Sequence, residues 1–557
     1  MSFKDSKPWA LYYENDAYTV SGDKIMGRQA AGNSYLKALA KSKYDKIGIY
    51  ASNPDSMGLF NTEFKKLLPP NTNKSISYIP WGNPALLSDF GGLYYPAPDI
   101  SRFVNQRYFF NNNNYSIVGI THTTASQSAI DSILECYTSQ LTPWDALICT
   151  SKSVKNSVNN LFDQYHNVLS DRIGASHKPE INLPVIPLGV HTDEFSFLDN
   201  EKNDYRKKLG INNNDIVILF LGRLSFHAKA HHAPMYIALE QAKKRLPKDV
   251  NIHLIQTGWF PNDVIENIYK NESLKLCPSI NCHFLDGRDP ASKKISFSVS
   301  DIFISLVDNF QETFGLTPLE GMAAGLPVIV SDWNGYKETV RDGLDGFKIT
   351  TTTLKEGSGY DLALRHNLGI DTYDHYIGRA SQTVSVDVRQ AAEKIIELCI
   401  NPELRKSISE NAKKRSKDFD WQKILKMYQN LKDELDLNRK SSLDNKEKFI
   451  APVSIQDPYS FFNDYSSFKI DKKTIVELND EVNPINIDDF YNLSSVSYLD
   501  KIAPDLDVIN LIYKFLLNSQ SCFVSDIETN VKFDYDEIFK VLIWLSKYGY
   551  LKLKENK

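Results

Sequence analysis

Short β-rich runs alternate with longer helical patterns along most of this chain, and they do so in two series. The runs include Lys46–Tyr50, Tyr115–Ile120, Ala146–Thr150, Ile216–Leu221, Ile252–Gln256, Ile302–Ser305 and Val328–Val330. Runs that are apolar at nearly every position suit strands buried on both faces. A helical interval between each pair is the connection a parallel sheet requires. The fold class is therefore read as α/β, with two Rossmann-like, doubly wound domains facing a cleft and ligands at the carboxyl ends of the strands. The series break near Leu183–Asp193.

Bulk properties exclude several functions. The chain has 557 residues, room for several domains, and a formal net charge of -5. No long basic run is present, so no nucleic-acid partner is expected. Six cysteines, Cys136, Cys149, Cys277, Cys282, Cys399 and Cys522, are scattered without a C-x-x-C pair. Neither a zinc site nor a disulfide framework is indicated. The opening residues lack the apolar core of a signal peptide. No apolar run approaches the ~20 residues of a membrane helix. The expectation is a reduced, cytoplasmic protein with at most peripheral contact at the inner face of a membrane.

Chemistry concentrates in Gln311–Asp332, where Glu312 and Glu320 flank a turn at Gly315 and a helical pattern follows. A loop that turns at glycine into a helix aims backbone N–H groups outward, which suits a diphosphate. Glu320, a turn inside the helix, and Glu312, before the turn, are hydroxyl acceptors facing the same cleft. The segment resembles the donor loop of retaining GT-B glycosyltransferases of the GT4 type (glycosyl transferases group 1), whose pattern is E-x-F-G-L-x-x-x-E-(A/G)-M-A-x-G-x-P-V. Gly321 stands where alanine is commoner. The similarity continues through Asn334–Val340 and Asp342–Phe347 and covers about residues 10–435.

The resemblance implies roles for further residues. Arg223 and Lys229, after the run ending at Leu221, resemble the family's G-R-L…K-G, whose cations bind the donor diphosphate; Ala230 replaces the second glycine. Two cations at a strand end can neutralise a leaving diphosphate. Glu320 would hold the ribose and Glu312 the donor sugar. Phe314, Gly315, Leu316 and Thr317 would place the loop's amides on the diphosphate. His122, after Ile120, sits where the family has a histidine near the donor sugar. Gly27 and Gly32 resemble its first glycine-rich loop, and Asp286 and Gly287 lie where its base-contacting loop would be. Ile186–Asp193 resembles the hinge motif I-P-N-G-V-D, with Leu188 in place of asparagine. No metal or other cofactor is implied. Asp505 and Asp507 have D-x-D spacing but lie near the end of the chain.

The organisation that follows is an acceptor-side domain at 1–195, a nucleotide-sugar domain at 196–418 and a crossover helix at 419–435 returning to the first domain. A linker at 436–478 leads to a small, mainly α, winged-helix-like module at 479–557. Residues about 351–385 read as an irregular insertion near the cleft. Acidic residues outnumber basic ones in the module, which favours protein contact or dimerisation over DNA. The expected function is transfer of a hexose from a nucleoside-diphosphate sugar to a hydroxyl of a glycan or lipid-linked acceptor, with retention and without metal. The alternative is a catalytically degenerate scaffold acting through its terminal module. A phosphorylase or epimerase on the same architecture is a third reading, but the pyridoxal lysine context of the first is not seen here, and the second lacks the paired-glutamate setting of Glu312 and Glu320.

Overall fold

The computed structural model describes residues 7–20, 27–197, 199–442, 452–453, 455–479 and 485–556. It divides into two compact units, Met1–Pro452 and Val453–Lys557. The first unit holds two six-stranded sheets. One contains β1 (Ala10–Tyr12), β2 (Lys46–Ala51), β3 (Ser75–Pro80), β4 (Gly92–Tyr94), β5 (Ser116–Ile120) and β6 (Ala146–Ile148), in the order β3-β2-β1-β4-β5-β6. The other contains β7 (Ile216–Leu221), β8 (Ile252–Gly258), β9 (Asn281–Asp286), β10 (Ile302–Ser305), β11 (Val328–Ser331) and β12 (Gly346–Ile349), in the order β12-β11-β10-β7-β8-β9. All pairings within both sheets are parallel. Both thus carry the same winding, the two-Rossmann GT-B arrangement read from the sequence. Every residue of β7, β10 and β11 is buried, as strands covered by helices on both faces must be.

The winding fixes where ligands can sit. Strand order reverses beside β1 in the first sheet and beside β7 in the second, opening a crevice outside the carboxyl ends at β1/β4 and β7/β10. The chain passes between sheets twice, and the two passages pair with each other. The Val190 N–H donates to the Phe419 carbonyl at 2.9 Å, and Trp421 N–H returns to the Val190 carbonyl at 3.2 Å. Gly189 is required there, since a Cβ would lie 2.4 Å from the Trp421 ring. The helix Trp421–Ser441 then runs along the first domain. Trp421 Nε1 donates to Ser34 Oγ at 2.7 Å, and Arg439 donates to the Gly91 carbonyl at 2.7 Å.

Two parts differ from expectation. The insertion is not irregular: Thr351–Thr352 pairs with Ser385–Val386, and helices Tyr360–Asn367 and Tyr373–Ser381 lie between them. Buried Asp371 holds the pair together by accepting from Arg365 at 2.7 Å and lying 3.1 Å from Arg379. Its glycines and polar residues disguise helices only two turns long, each too short for an apolar period to show.

The second unit starts before residue 479. Strand Ile475–Leu478, assigned to the linker from sequence, is the central strand between Ser521–Phe523 and Leu551–Lys554. Helices Leu506–Ser519, Val524–Val531 and Tyr535–Lys547 cover it, with Ile509, Ile512, Leu542 and Leu545 fully buried. In a winged helix the strand after the third helix pairs with one further along the chain; here its partner comes from upstream. Much of the expected linker, residues 443–451 and 454, lies outside the described residues.

Candidate functional site

The loops leaving β7 and β10 meet at the switch point of the second sheet. After β7, Gly222–Lys229 folds on itself: the Lys229 N–H donates to the Ser225 carbonyl at 2.9 Å, and the Arg223 guanidinium donates to the Ala228 carbonyl at 2.7 Å. After β10, buried Asn309 fastens the second loop to the first. Its amide donates to the His227 carbonyl at 3.0 Å and to Ser381 Oγ at 3.2 Å, while its side-chain oxygen accepts from the Gln311 N–H at 3.0 Å. Gln311 also donates to the Ala228 carbonyl. Across this junction Lys229 and Glu312 form an ion pair with side chains 24% and 10% exposed. The loop ends at Gly315, whose φ of 90° lies in the left-handed region and whose Cβ would fall 1.8 Å from the Tyr336 ring. Only glycine fits both constraints. Helix Leu316–Ala323 follows, and Glu320 in its second turn accepts from Lys293 at 2.7 Å.

The opposite wall comes from the first domain. His122 follows β5, and its carbonyl accepts from Thr313 Oγ1 at 2.9 Å. Ser151 Oγ donates to the Thr313 carbonyl at 3.0 Å, so the loop after β10 is also held from the first sheet. Burial, helped by the nearby Arg28 guanidinium, pushes the His122 imidazole down to about 4. The ring is therefore neutral at pH 7 and offers one N–H donor and one acceptor. Burial lowers Arg223 from its usual value as well, and Asp374 of the insertion partly offsets this. Burial raises the Tyr373 phenol from its usual value, and nearby Thr123, beside His122, partly offsets this. Gly378 packs against His227, where a Cβ would stand 3.2 Å from the histidine Cβ. Helix Tyr373–Ser381 is thus a third wall of the cleft.

The remaining sequence-derived residues divide by placement. Asp286 ends β9, paired at 2.8 Å with Arg288, and Gly287 beside it packs on Gly258. A Cβ on Gly258 would come 1.9 Å from the Gly222 carbonyl, so the chain leaving β7 and the end of β8 pack backbone against backbone at this edge. Gly27 begins helix Gly27–Lys41 in open space, whereas Gly32 is buried and a Cβ there would lie 2.3 Å from the Ala17 carbonyl, so close packing on that turn requires glycine. Phe314 is 2% exposed and packs toward Phe419, so only its backbone can face a ligand. Asp505 caps helix Leu506–Ser519, accepting from the Asp507 N–H at 2.9 Å, which accounts for the D-x-D spacing without a metal. In the cluster His191, Asp193 and Glu194, the two carboxylates pair with Lys37 and Lys41, the closest contact being 2.6 Å, and His191 Nε2 lies 3.0 Å from the Ser34 carbonyl. No helix among the described residues is long and apolar enough to cross a membrane.

Sequence reasoning missed Asn309, Lys293 and Asp308. Asp308 ends the β10 run, accepts from the His231 N–H at 3.2 Å and is 4% exposed; burial pushes its carboxyl up to about 7. Its position three residues past a buried strand, opposite the Arg223 loop, was the available signal. A raised carboxyl keeps its proton in the folded state between about pH 4 and 7 while the unfolded chain has lost it. Stability contributed by this group is therefore greatest at low pH and declines as pH rises toward 7, with a slope of up to ~1.4 kcal/mol per unit. Urea melts across pH 4.5–8 are expected to show that Asp308→Asn gains on wild type as pH rises. A constant difference would refute the protonated assignment.

Comparison with known proteins finds similarity over part of the chain. Residues 201–357 match the family model of glycosyl transferases group 1, a stretch containing Arg223, Lys229, Glu312 and Glu320. That stretch is carried on a GT-B pair of Rossmann-like sheets. Among curated proteins, the chain is 27% identical over 290 residues to an uncharacterized glycosyltransferase of Methanocaldococcus jannaschii, covering 47% of this chain and 72% of that protein. It is 30% identical over 149 residues to spore coat protein SA of Bacillus subtilis, covering 27% and 38% of the two chains. It is also 30% identical over 173 residues to the UDP-Gal:alpha-D-GlcNAc-diphosphoundecaprenol alpha-1,3-galactosyltransferase of Escherichia coli, covering 30% and 41%. Matches to several of these relatives span less than half of their length. A solved glycosyltransferase from Rickettsia africae ESF-5 superposes with a TM-score of 0.49 at 16% identity, covering 77% of this chain and 99% of that one.

Proposed function

We propose that this chain is a retaining, metal-independent GT-B hexosyltransferase that moves a sugar from a nucleoside diphosphate to a hydroxyl of a glycan or lipid-linked acceptor. The observation that carries the reading is the convergence of Arg223, Lys229, Glu312 and the amino end of helix Leu316–Ala323 at the β7/β10 switch point. Backbone amides at that terminus and two cations suit a departing diphosphate. Glu312, released from or shared with Lys229, would bind the donor sugar, and Glu320 the ribose. Neutral His122 would hydrogen-bond the sugar from the opposite wall. Similarity to a galactosyltransferase named for a UDP-Gal donor and a diphosphoundecaprenol-linked sugar supports this chemistry. The unit Val453–Lys557 would serve protein contact or self-association, given its acidic balance.

Product stereochemistry tests the reading. An α-linked nucleotide sugar should give an α-product, because the loop holds the diphosphate on the face from which the acceptor arrives, leaving a phosphate oxygen to take the acceptor proton. The anomeric proton's NMR coupling distinguishes the outcomes. A β-product would reverse the assigned face, and activity lost to EDTA and restored by Mn2+ would sink metal independence. The same assay on protein lacking residues 453–557 is expected to retain donor binding while its oligomeric state changes.

A further inference from the structure

The cysteines are scattered in sequence, but the fold brings two of them together. Helix Asp263–Leu276 ends at Cys277, whose N–H donates to the Ser273 carbonyl at 3.0 Å. The chain then reverses, the Ile280 N–H donating to the Cys277 carbonyl at 3.0 Å. Glu240, on the helix His232–Arg245, fixes this turn by accepting from the Ser279 N–H at 3.1 Å and the Ser279 hydroxyl at 3.0 Å. Cys282 follows in β9, in register with Leu254 of β8. Both backbones are thus held in place, and the two sulfurs lie 3.8 Å apart. Cys277 is 1% exposed, whereas Cys282 is only partly covered, on a strand at the edge of the sheet.

We propose that Cys277 and Cys282 form a thiol-modification site, which a low-molecular-weight disulfide closes reversibly into an intramolecular disulfide. Accessibility sets the order of the two steps. The Cys282 thiolate attacks one sulfur of the small disulfide, breaking its S–S bond and releasing the first thiolate. Cys277 then gives up its proton and attacks the Cys282 sulfur of the mixed disulfide, expelling the second thiolate. Two protein thiols are oxidised to one disulfide, the small disulfide is reduced to two thiols, and the two protein protons end on them. Attack requires a thiolate, and the surroundings favour one at Cys282. The hydrogen bond from Cys277 and the nearby Ser273 lower Cys282 from its usual value against burial, while the same bond and burial raise Cys277. Burial holds Cys136, Cys149 and Cys399 up at about 12 and Cys522 at about 11, which leaves those four thiols protonated and slow. The assignment is independent of the glycosyl-transfer reading.

Trypsin cutting after Lys275 and Arg288 releases both cysteines in one peptide, residues 276–288. The full chain is incubated with oxidised glutathione, quenched with N-ethylmaleimide and digested. That peptide should carry an internal disulfide and no maleimide, and dithiothreitol should restore two labelled thiols. In Cys277→Ser the reaction should stop at a glutathione adduct on Cys282, and in Cys282→Ser no adduct should form at Cys277. Cys277→Ala repeats the first variant with a small apolar side chain in case serine disturbs the buried position. In the folded protein Cys282 should react at least about ten-fold faster than Cys522, and urea should abolish that difference by removing the neighbouring thiol. A 276–288 peptide that stays fully alkylated in wild type, a bridge from either residue to another cysteine, or equal rates at Cys282 and Cys522 in the folded protein would each overturn the proposal.

Discussion

Arg223→Ala and Lys229→Ala are each expected to lower kcat about 30- to 1,000-fold, roughly 2–4 kcal/mol of transition-state stabilisation, the usual loss for one group aimed at developing charge. The two should fail differently. Lys229 is paired with Glu312, whose side chain is only 10% exposed, so its removal leaves a nearly buried carboxylate unpaired as well as a leaving group unneutralised. Lys229→Ala should therefore also weaken donor binding by repulsion between Glu312 and the diphosphate, and Glu312→Gln in that background should restore part of the binding without restoring kcat. Arg223 holds the Ala228 carbonyl next to Lys229, so Arg223→Lys, which keeps charge but not the planar fork, should recover only part of the rate. Steady-state kinetics with KM and kcat separated, on variants of matched melting temperature, decide the matter. Turnover within threefold of wild type in both alanine variants would remove these cations from the chemistry.

The sequence made the sheets legible wherever strands were long and apolar. β7, β10 and β11 are buried along their whole length, so their composition announced them. β1 and β4 span three residues each, and their partners rather than any local pattern make them strands. β9 is an edge strand bearing Asn281, His283 and Asp286, which no apolar run would reveal. At the site, motif spacing located the charged residues because their chemistry is carried by residue type. It could not locate partners chosen by tertiary packing. Lys293 reaches Glu320 from a helix after β9, and Asn309 joins two loops from opposite sides of the switch point. Gly32 shows the converse: a glycine near a helix start resembles a phosphate loop, and only the structure reveals that its missing Cβ admits the Ala17 carbonyl. The insertion hid its function for the same reason, since Tyr373 and Gly378 acquire meaning only from Thr123 and His227.

Arg107→Ala should destabilise the protein by about 3–5 kcal/mol, the cost of breaking a buried pair and stranding its partner. Arg107 is 0% exposed and Asp145 1%, and the guanidinium grips the carboxylate with two bonds of 2.7 Å. It also donates to the Tyr115 carbonyl at 2.7 Å, while Asp145 accepts from the N–H groups of Ile117 at 2.8 Å and Thr142 at 2.9 Å. One ion pair thus sets the entry of β5 and the turn into β6. With the guanidinium gone, Asp145 keeps its backbone donors but loses the cation bonded to it, inside a core where water cannot substitute. A combined Arg107→Met and Asp145→Leu change, which leaves no stranded charge, should cost less than the single variant despite removing more hydrogen bonds. Arg107, near the end of helix Ser101–Tyr108, and Asp145, just before β6, meet at the amino ends of β5 and β6, whereas His122 lies beyond the carboxyl end of β5. Guanidinium melts should therefore show a large shift in midpoint while kcat per folded molecule stays within twofold of wild type. A loss below about 1 kcal/mol would mean the pair's Coulomb gain barely exceeds its desolvation cost. A fall in kcat without a fall in stability would mean that the entry of β5 controls the position of His122 at its exit.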